Sequence, residues 1–326
     1  MPVYNGKEYL ALAVESILRQ TFADFEFIII NDGSTDNSAD IAASYEDPRI
    51  KLLHNDKNLG LIPSFNRGLE NSRGEYIARM DADDIAFPDR FKKQVAFLDD
   101  HPDIALCGSW AQTIGMQQGF VIKPATDHET LKANLLFRST IIHPTVMMRR
   151  SILNKFGLKY DMEDLHFEDY GLWTRMSECA KLANLPEVLL YYRMHQANVS
   201  HTVPFKYREG TPLKRKTLGK LGISPNEKEM RLHNSYKPEN GENTQEFIKG
   251  QETWLRKIID ANIKKKIYNK NALAEVSYLR FRTVCGTNTS AGLNTWKQFV
   301  GSPLFHVTPL HILDATKIFI KCLLKK

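Results

Sequence analysis

The sequence predicts an α/β protein whose mostly parallel sheet is flanked by helices, with a basic helical extension towards the C-terminal end. Short apolar runs alternate with amphipathic stretches over about the first 200 residues, which is the pattern of βαβ units. The charge also changes along the chain. Residues 1–201 hold 21 Lys and Arg against 28 Asp and Glu, whereas residues 202–326 hold 23 against 10. A shift of this size indicates a boundary near residue 202.

The α/β part is predicted to alternate regularly along the chain. Residues 25–30 form a continuous apolar run, which is typical of a strand buried on both faces. Before it, apolar residues recur at helical spacing from residue 8 to residue 20. By the same criteria we expect strands at residues 50–54, 75–80, 104–107 and 186–194, and helices at residues 63–72 and 88–100.

Three regions are expected on the basis of composition. Residues 1–203 form the α/β domain, and residues 204–250 are rich in Pro, Asn and Glu, which predicts a polar linker. Residues 251–326 carry a helical pattern and basic clusters, which predicts a basic helical tail.

Several classes of protein are excluded by simple features. No run of 18 apolar residues occurs, so the sequence predicts no spanning helix. The first 30 residues lack the pattern of a signal peptide. The four cysteines are far apart and form no CxxC pair, which argues against a structural zinc site and a disulfide framework. A reducing, cytoplasmic compartment is therefore expected.

The sharpest chemical signal is the run Asp81-Ala-Asp-Asp84, directly after a predicted strand. Three carboxylates within four residues repel one another unless a cation neutralises them. A hard divalent cation does so through oxygen ligands. The alternative is that Asp83 or Asp84 caps the helix expected from residue 88.

Two weaker signals lie later in the domain. Glu168 and Asp169 open a helical pattern, where they either favour the positive end of the helix dipole or include a general base. His195 follows the last predicted strand, where it is either a metal ligand or an ordinary surface or packed residue.

Several short motifs in a fixed order resemble those of the family 2 glycosyltransferases, which have the GT-A fold. The resemblance covers about residues 1–200, and the order of the motifs is more specific than any one of them. The motifs are Pro2-Val-Tyr-Asn5, Asp32-Gly-Ser-Thr-Asp36, Asn58-Leu-Gly60, Asn66-Arg-Gly68, Arg73-Gly-Glu75, Asp81-Ala-Asp-Asp84, Glu168-Asp169 and Tyr192-Arg-Met-His195.

The resemblance implies an inverting transfer from a nucleotide-sugar, most often a UDP-sugar, to a hydroxyl group of a glycan or lipid-linked acceptor. It implies that Asp169 is the general base, with Glu168 beside it, and that Asp83 and His195 bind Mn²⁺ or Mg²⁺. The residues implied in nucleotide-sugar binding are Pro2, Val3, Tyr4, Asn5, Asp32, Ser34, Asn58, Asn66, Asp81 and Ala82.

The chain departs from the family pattern in two places. Members usually carry an apolar strand of about five residues before the Pro-Val-Tyr-Asn motif, whereas here Met1 precedes it directly. We therefore expect that the first strand is truncated in this sequence. Phe65 also stands where an arginine often precedes the Asn66 motif, which puts one phosphate or base contact in doubt.

Two other functions compete with sugar transfer. A nucleotidyltransferase would also use a sheet and a metal, but its glycine- and lysine-rich phosphate loop is not visible. A catalytically inactive nucleotide-sugar binder or scaffold is the other alternative, and the truncated strand argues slightly for it.

The basic region 251–326 predicts a partner of its own. Its lysine clusters favour contact with an anionic membrane surface, which would make the protein peripheral at the inner face of the membrane. A candidate helix over residues 308–326 would then lie in the interface, and the alternative is that it packs on the catalytic domain. Nucleic acid is not expected as a partner, because no module that combines basic and aromatic residues is apparent.

Overall fold

The computed structural model describes residues 1–196, 211–305 and 311–324. The chain divides into two compact units, each with its own packing. The α/β unit comprises Met1–Leu131 and Ser139–Arg208, and the helical unit comprises Lys132–Arg138 and Glu209–Lys326. The boundary predicted at residue 203 lies outside the described residues.

Strands and helices alternate through the α/β unit, as the apolar runs predict. The strands are β1 (Pro2–Val3), β2 (Phe27–Asn31), β3 (Ile50–His54), β4 (Tyr76–Ala78), β5 (Ile85–Ala86), β6 (Ile104–Gly115), β7 (Val121–Ile122), β8 (Met147–Arg149) and β9 (Lys181–Met194). The helices are α1 (Leu10–Leu18), α2 (Ser38–Ala43), α3 (Leu61–Asn71), α4 (Arg90–Asp100), α5 (His128–Leu135), α6 (Arg150–Phe156) and α7 (Glu168–Cys179).

The predicted parallel sheet is confirmed at the N-terminal end of the unit. Strands β1, β2 and β3 lie side by side in that order and run parallel. All five residues of β2 are buried, because a parallel strand in the middle of a sheet is covered on both faces. The apolar run of β2 therefore packs in the core. The polar loop that follows it lies at the carboxyl end of the sheet, where ligands bind in open α/β folds.

A second sheet is mixed, which the sequence did not predict. Its order is β4-β8-β6-β9-β5, and within that order only β6 and β9 pair in parallel. Strands β5 and β8 have two and three residues, which is too short to show a periodicity. Strands β6 and β9 extend beyond their predicted limits, because buried polar residues such as Thr113 and Asn184 continue the ladder.

The helical unit overturns the prediction of a polar linker over residues 204–250. Its helices are α8 (Thr211–Lys220), α9 (Glu227–Asn234), α10 (Thr244–Lys265), α11 (Lys270–Thr287), α12 (Leu293–Gly301) and α13 (His311–Leu324). Buried apolar residues of the supposed linker join its core: Leu218, Met230, Leu232 and Phe247. Their helical spacing was obscured by the many polar residues between them, some of which, such as His233, are themselves buried.

The basic helical tail is more densely packed than its charge suggests. Trp254, Phe281 and Phe299 are at most 2% exposed and belong to one apolar cluster. Among the described residues, no helix is both long enough and apolar enough to cross a bilayer.

Candidate active site

The loops after β1 and β2 hold each other through short polar side chains. Asn5 has a left-handed backbone conformation with φ of 50°. Its N–H donates to Ser34 Oγ at 3.1 Å, and its side-chain oxygen accepts from the N–H of Thr35 at 2.8 Å. Pro2 and Val3 are buried beside this junction, while Tyr4 is 48% exposed. Five of the residues predicted to bind the nucleotide-sugar therefore form one continuous edge.

Asp32 holds the loop that precedes α3. Its carboxylate accepts from Asn55 Nδ2 at 2.6 Å, from the N–H of Leu59 at 2.9 Å and from the N–H of Gly60 at 2.9 Å. Asn58 Oδ1 accepts from the same Gly60 N–H, also at 2.9 Å. Both predicted residues thus shape the loop at the carboxyl end of the parallel sheet.

Asn66 has a different environment from the other predicted donor-binding residues. Its side-chain amide donates to the carbonyl of Tyr160 at 2.9 Å and accepts from the Tyr160 N–H at 3.0 Å. This two-point contact ties α3 to the segment before α7. Asn66 therefore has a structural role, because its side-chain oxygen and nitrogen both form hydrogen bonds with backbone groups.

The acidic run folds into a compact cluster. One carboxylate oxygen from each of Asp81, Asp83 and Asp84 lies within 4.8 Å of the others. Asp84 is 1% exposed and accepts the N–H of Arg193 at 2.7 Å, while its second oxygen has no hydrogen-bond partner among the described residues. Burial, together with the charges of Asp81 and Asp83, raises the pKa of Asp84 well above its usual range.

His195 closes this cluster from the end of β9. Its Nε2 lies 2.9 Å from Asp83 Oδ2, and its ring contacts that of Tyr9 at 5.4 Å. The neighbouring Arg193 donates from Nε to the backbone carbonyl of Asp83 at 2.7 Å. Residues 112 positions apart therefore meet at one point, which the sequence predicted only through the family resemblance.

The donor set fits a divalent cation. Carboxylate oxygens suit Mg²⁺ and Mn²⁺, and an imidazole is compatible with transition metals. The buried Asp84 oxygen without a partner is the kind of group that a cation would satisfy. Asp83 and His195 would hold the ion, with Asp81 and Asp84 close enough to contribute.

The alternative role as a helix cap is wrong for Asp83 and Asp84. Helix α4 begins at Arg90, and its N-cap residue is Asp89. Asp84 instead precedes strand β5 and is fixed by the backbone of β9. The two-residue strand β5 lies between the acidic run and the helix, and the sequence did not predict it.

Glu168 and Asp169 form the first turn of α7, as predicted. Asp169 accepts the N–H of Tyr170 at 2.7 Å and the hydroxyl of Ser139 at 3.4 Å. Burial raises the pKa of Asp169. Burial and the adjacent Asp169 raise the pKa of Glu168 to about 7. A raised pKa makes a carboxylate a stronger proton acceptor, which suits a general base.

No sequence pattern singles out Arg79, which lies near both acidic groups. Its side chain is 9% exposed and forms an ion pair with Asp81, and its guanidinium carbon lies 5.0 Å from the centre of the Phe65 ring. Its charge lowers the pKa of Asp84 and of Asp169, against the larger effect of burial. An arginine at the end of a predicted strand carries no motif, so only the fold reveals this position.

The buried Tyr160 and the half-buried His143 form a pair near the same guanidinium. His143 Nε2 is 2.8 Å from the Tyr160 hydroxyl, and the ring of His143 packs edge-on against Trp173 at 5.7 Å. Burial, with a smaller contribution from Arg79, lowers the pKa of His143 well below its ordinary value. Both side chains of the pair are therefore uncharged near neutral pH, although charged groups lie close to them.

The family is established by sequence comparison. Residues 1–157 match the family described as glycosyl transferase family 2. An uncharacterized glycosyltransferase of Haemophilus influenzae is 35% identical over 237 residues, which are 68% of this chain and 73% of the relative. The uncharacterized glycosyltransferase MJ1057 of Methanocaldococcus jannaschii is 36% identical over 60% of this chain and 69% of its own. The chain belongs to glycosyl transferase family 2 and is a glycosyltransferase.

Solved structures with this fold confirm the predicted GT-A type. TarS of S. aureus, residues 1–349 in complex with UDP-GlcNAc, has a TM-score of 0.54 at 15% identity and covers 98% of this chain and 89% of its own. The mannosyltransferase PcManGT of Pyrobaculum calidifontis, in complex with GDP-Man and Mn²⁺, has a TM-score of 0.51 at 14% identity over 100% and 86%. At these identities the likeness concerns the fold.

Proposed function

We propose that this glycosyltransferase moves a sugar from a nucleotide-sugar, a UDP-sugar in the first instance, to a hydroxyl group of a glycan or lipid-linked acceptor with inversion. One observation carries the proposal. Two separate carboxylate groups, Asp81–Asp84 and Glu168–Asp169, lie within electrostatic reach of the same buried guanidinium of Arg79. A single displacement needs an acidic site for the diphosphate and its cation, and a carboxylate base for the acceptor.

The donor would lie along the edge built by the first two loops. Pro2, Val3, Tyr4, Asn5 and Ser34 would line the base and ribose, with Asp32 and Asn58 holding the neighbouring loop in shape. Asp81 and Ala82 would approach the ribose and diphosphate. The two structural neighbours, which are complexes with UDP-GlcNAc and with GDP-Man, support a nucleoside diphosphate sugar as the class of donor.

Asp169 is the proposed general base. Its carboxylate takes the proton of the acceptor hydroxyl while that oxygen forms the bond to the anomeric carbon. The bond from that carbon to the diphosphate oxygen breaks, and its electron pair leaves with the nucleoside diphosphate. Because one displacement inverts the anomeric centre, no covalent intermediate with the enzyme is needed. Glu168 would tune the base, and its position next to Asp169 on α7 supports this role.

We propose that Mn²⁺ or Mg²⁺ is the cofactor, held by Asp83 and His195. When bound, the ion would supply positive charge that stabilises the leaving diphosphate. The presence of Mn²⁺ with the donor in the P. calidifontis neighbour supports this choice.

The proposed setting is the synthesis of a cell-surface polysaccharide. We propose that the protein is cytoplasmic and peripheral at the inner face of the membrane, with the contact made through residues 251–326. The excess of basic residues in the second part of the chain supports this arrangement. A lipid-linked acceptor would then be within reach of the enzyme.

The test is calorimetric titration with UDP and with GDP, each with and without Mn²⁺. We expect metal-dependent binding of UDP that Asp83→Ala loses. Asp100→Ala, which removes an exposed carboxylate at the end of α4, is the matched control and should bind as the parent does. Absence of binding to either nucleotide would overturn the proposed donor site.

Asp169→Asn separates chemistry from binding. This variant should bind UDP and Mn²⁺ normally. It should lose transfer by about a thousandfold, because no base remains to take the proton from the hydroxyl group that receives the sugar. Binding without transfer from any UDP-sugar in the parent protein would favour the inactive binder or scaffold instead.

A further inference from the structure

The C-terminal helix α13 packs against the helical unit by only one side. Asp314, Ile318 and Cys322 lie on successive turns, and each is at most 7% exposed. Ile318 and Cys322 belong to the apolar core of the unit, and Phe319 contacts Trp296 edge-on at 5.3 Å. Among the described residues, these contacts attach the helix to the rest of the unit.

The opposite side of α13 is apolar and exposed. At about 100° per residue, the side chains that point away from Ile318 are almost all aliphatic. They are 50–66% exposed, and we call them the outer face of α13: Ile312, Leu313, Ile320, Leu323 and Leu324. Large exposed apolar side chains grouped on one helix face mark a contact surface.

The charge around the outer face is positive. Residues 289–326 contain five lysines and a single acidic residue, Asp314. Asp314 is buried and engaged, because it accepts from the Tyr278 hydroxyl at 2.7 Å and pairs with Arg282 at 3.2 Å. Lys317 and Lys321 lie along one border of the outer face, and neither forms an ion pair within the described part of the chain.

We propose that the outer face of α13 is the membrane-contact surface of this protein and binds an anionic lipid bilayer. The inference rests on the membrane part of the proposed function and names the surface responsible. The aliphatic side chains would enter the boundary between head groups and acyl chains, while Lys317 and Lys321 meet lipid phosphates. A helix of 14 residues spans about 21 Å, which is shorter than the hydrocarbon core, so it would lie in the plane of the membrane.

Charge favours lipid over a second copy of the chain as the occupant. Two outer faces brought together would also bring together their lysines, with no exposed carboxylate in residues 289–326 to compensate. Like charges across an interface oppose association. An anionic bilayer supplies the apolar layer and the negative charge at once.

The experiment is co-sedimentation of the full chain with vesicles of phosphatidylcholine and phosphatidylglycerol, beside vesicles of phosphatidylcholine alone. We expect binding to the mixed vesicles only. Ile320→Ser should weaken it about tenfold through lost apolar transfer. The double variant Lys317→Gln with Lys321→Gln should weaken it about 30-fold.

Matched controls lie in the α/β unit, outside residues 251–326. Leu12→Ser on α1 replaces a side chain that is 50% exposed, and the double variant Lys92→Gln with Lys155→Gln, both exposed, removes the same charge as the lysine pair of α13. Both should bind as the parent does. Equal losses in these controls, or no binding by the parent, would overturn the assignment to α13.

Two further results would also overturn the proposal. One is equal binding to phosphatidylcholine alone. The other is a dimer in solution that Ile320→Ser abolishes while vesicle binding is absent, which would make a second copy the occupant. Thermal unfolding of each variant shows that it is folded. Nucleotide titration of the same samples is independent of lipid, so failure here is distinct from failure of the donor site.

Discussion

At the scale of single residues, the candidate site depends on carboxyl groups whose environment changes their protonation. Glu168 is half-buried next to Asp169. Its burial and the charge of Asp169 together raise its pKa from an ordinary 4.5 to about 7. Arg79 acts in the opposite sense on the surrounding carboxyl groups, because a buried cation favours their charged forms. The pKa values of these carboxyl groups therefore depend on two opposing effects, burial, which raises them, and the charge of Arg79, which lowers them.

Glu168→Gln should change how stability depends on pH. Since the folded state holds the Glu168 proton more tightly than the unfolded state, stability falls as the pH rises from about 4.5 to about 7 and stays low above that. The loss should be about 2 kcal/mol, and the glutamine variant should not show it. Urea unfolding at pH 5 and pH 8 measures the difference, and identical pH dependence in the parent and the variant would contradict the prediction.

Arg79→Met should shift the pH dependence of sugar transfer. Without the guanidinium, the pKa of Asp169 rises, so the acidic limb of the kcat/KM profile moves to higher pH. Transfer at acidic pH should then fall about tenfold relative to the alkaline plateau. Arg79→Lys keeps the charge and should retain the parental profile. A uniform loss at all pH values in Arg79→Met would indicate a structural role only.

At the scale of secondary-structure elements, the site is assembled from loops at the ends of short strands. The loop after β2 must pass close to the loop before α3, and Gly33 is the residue at the point of contact. It has φ of 66°, and a Cβ added there would lie 2.4 Å from the carbonyl carbon of Lys57. The close approach is what lets Asp32 accept hydrogen bonds from Leu59 and Gly60.

Gly33→Ala should destabilise the α/β unit by about 3 kcal/mol, because a strained backbone and a steric overlap add together. Gly157→Ala is the matched control. Gly157 has φ of 60° and a left-handed conformation, but an added Cβ would have no atom within 4 Å, so only the conformational cost of about 1 kcal/mol applies. Urea denaturation compares the two variants, and equal losses would show that the contact with Lys57 is unimportant.

At the scale of the whole molecule, the two units are not simply consecutive in the sequence. Residues Lys132–Arg138 lie within the α/β part of the chain but belong to the helical unit. His233 joins this segment to the rest of the unit. Its Nε2 lies 3.0 Å from the carbonyl of Leu136, and its Nδ1 lies 3.2 Å from Trp254 Nε1. A neutral ring with the proton on Nε2 satisfies both contacts.

The helical unit should therefore lose stability in mild acid. Burial, with Arg280 and Lys214, lowers the pKa of His233 well below its ordinary 6.5. The stability that His233 contributes is present above about pH 6.5 and is lost progressively as the pH falls below that value. Tryptophan fluorescence during urea unfolding at pH 7.5 and pH 5.5 measures the loss. His233→Gln cannot titrate, so an unchanged pH dependence in this variant would contradict the prediction.

The sequence by itself determined the family, the α/β class and the parallel sheet around β2. Continuous apolar runs and ordered motifs are local, and β2 needs burial on both faces wherever it lies. The roles of Asp83, Asp169 and His195 also came from local motifs and stay predictions. The contact between Asp83 and His195 could not be deduced from local pattern, because it depends on strand pairing over long separations.

Only the tertiary structure decided the rest. It revealed the mixed second sheet, whose two- and three-residue strands carry no periodic signal, and the helices in place of a linker. It also revealed Arg79 beside two acidic groups and an uncovered apolar face on α13. Burial, exposure and charge proximity are properties of the packed chain. A residue such as Arg79 or Ile320 has the same local pattern whether its environment is a core, a site or a surface.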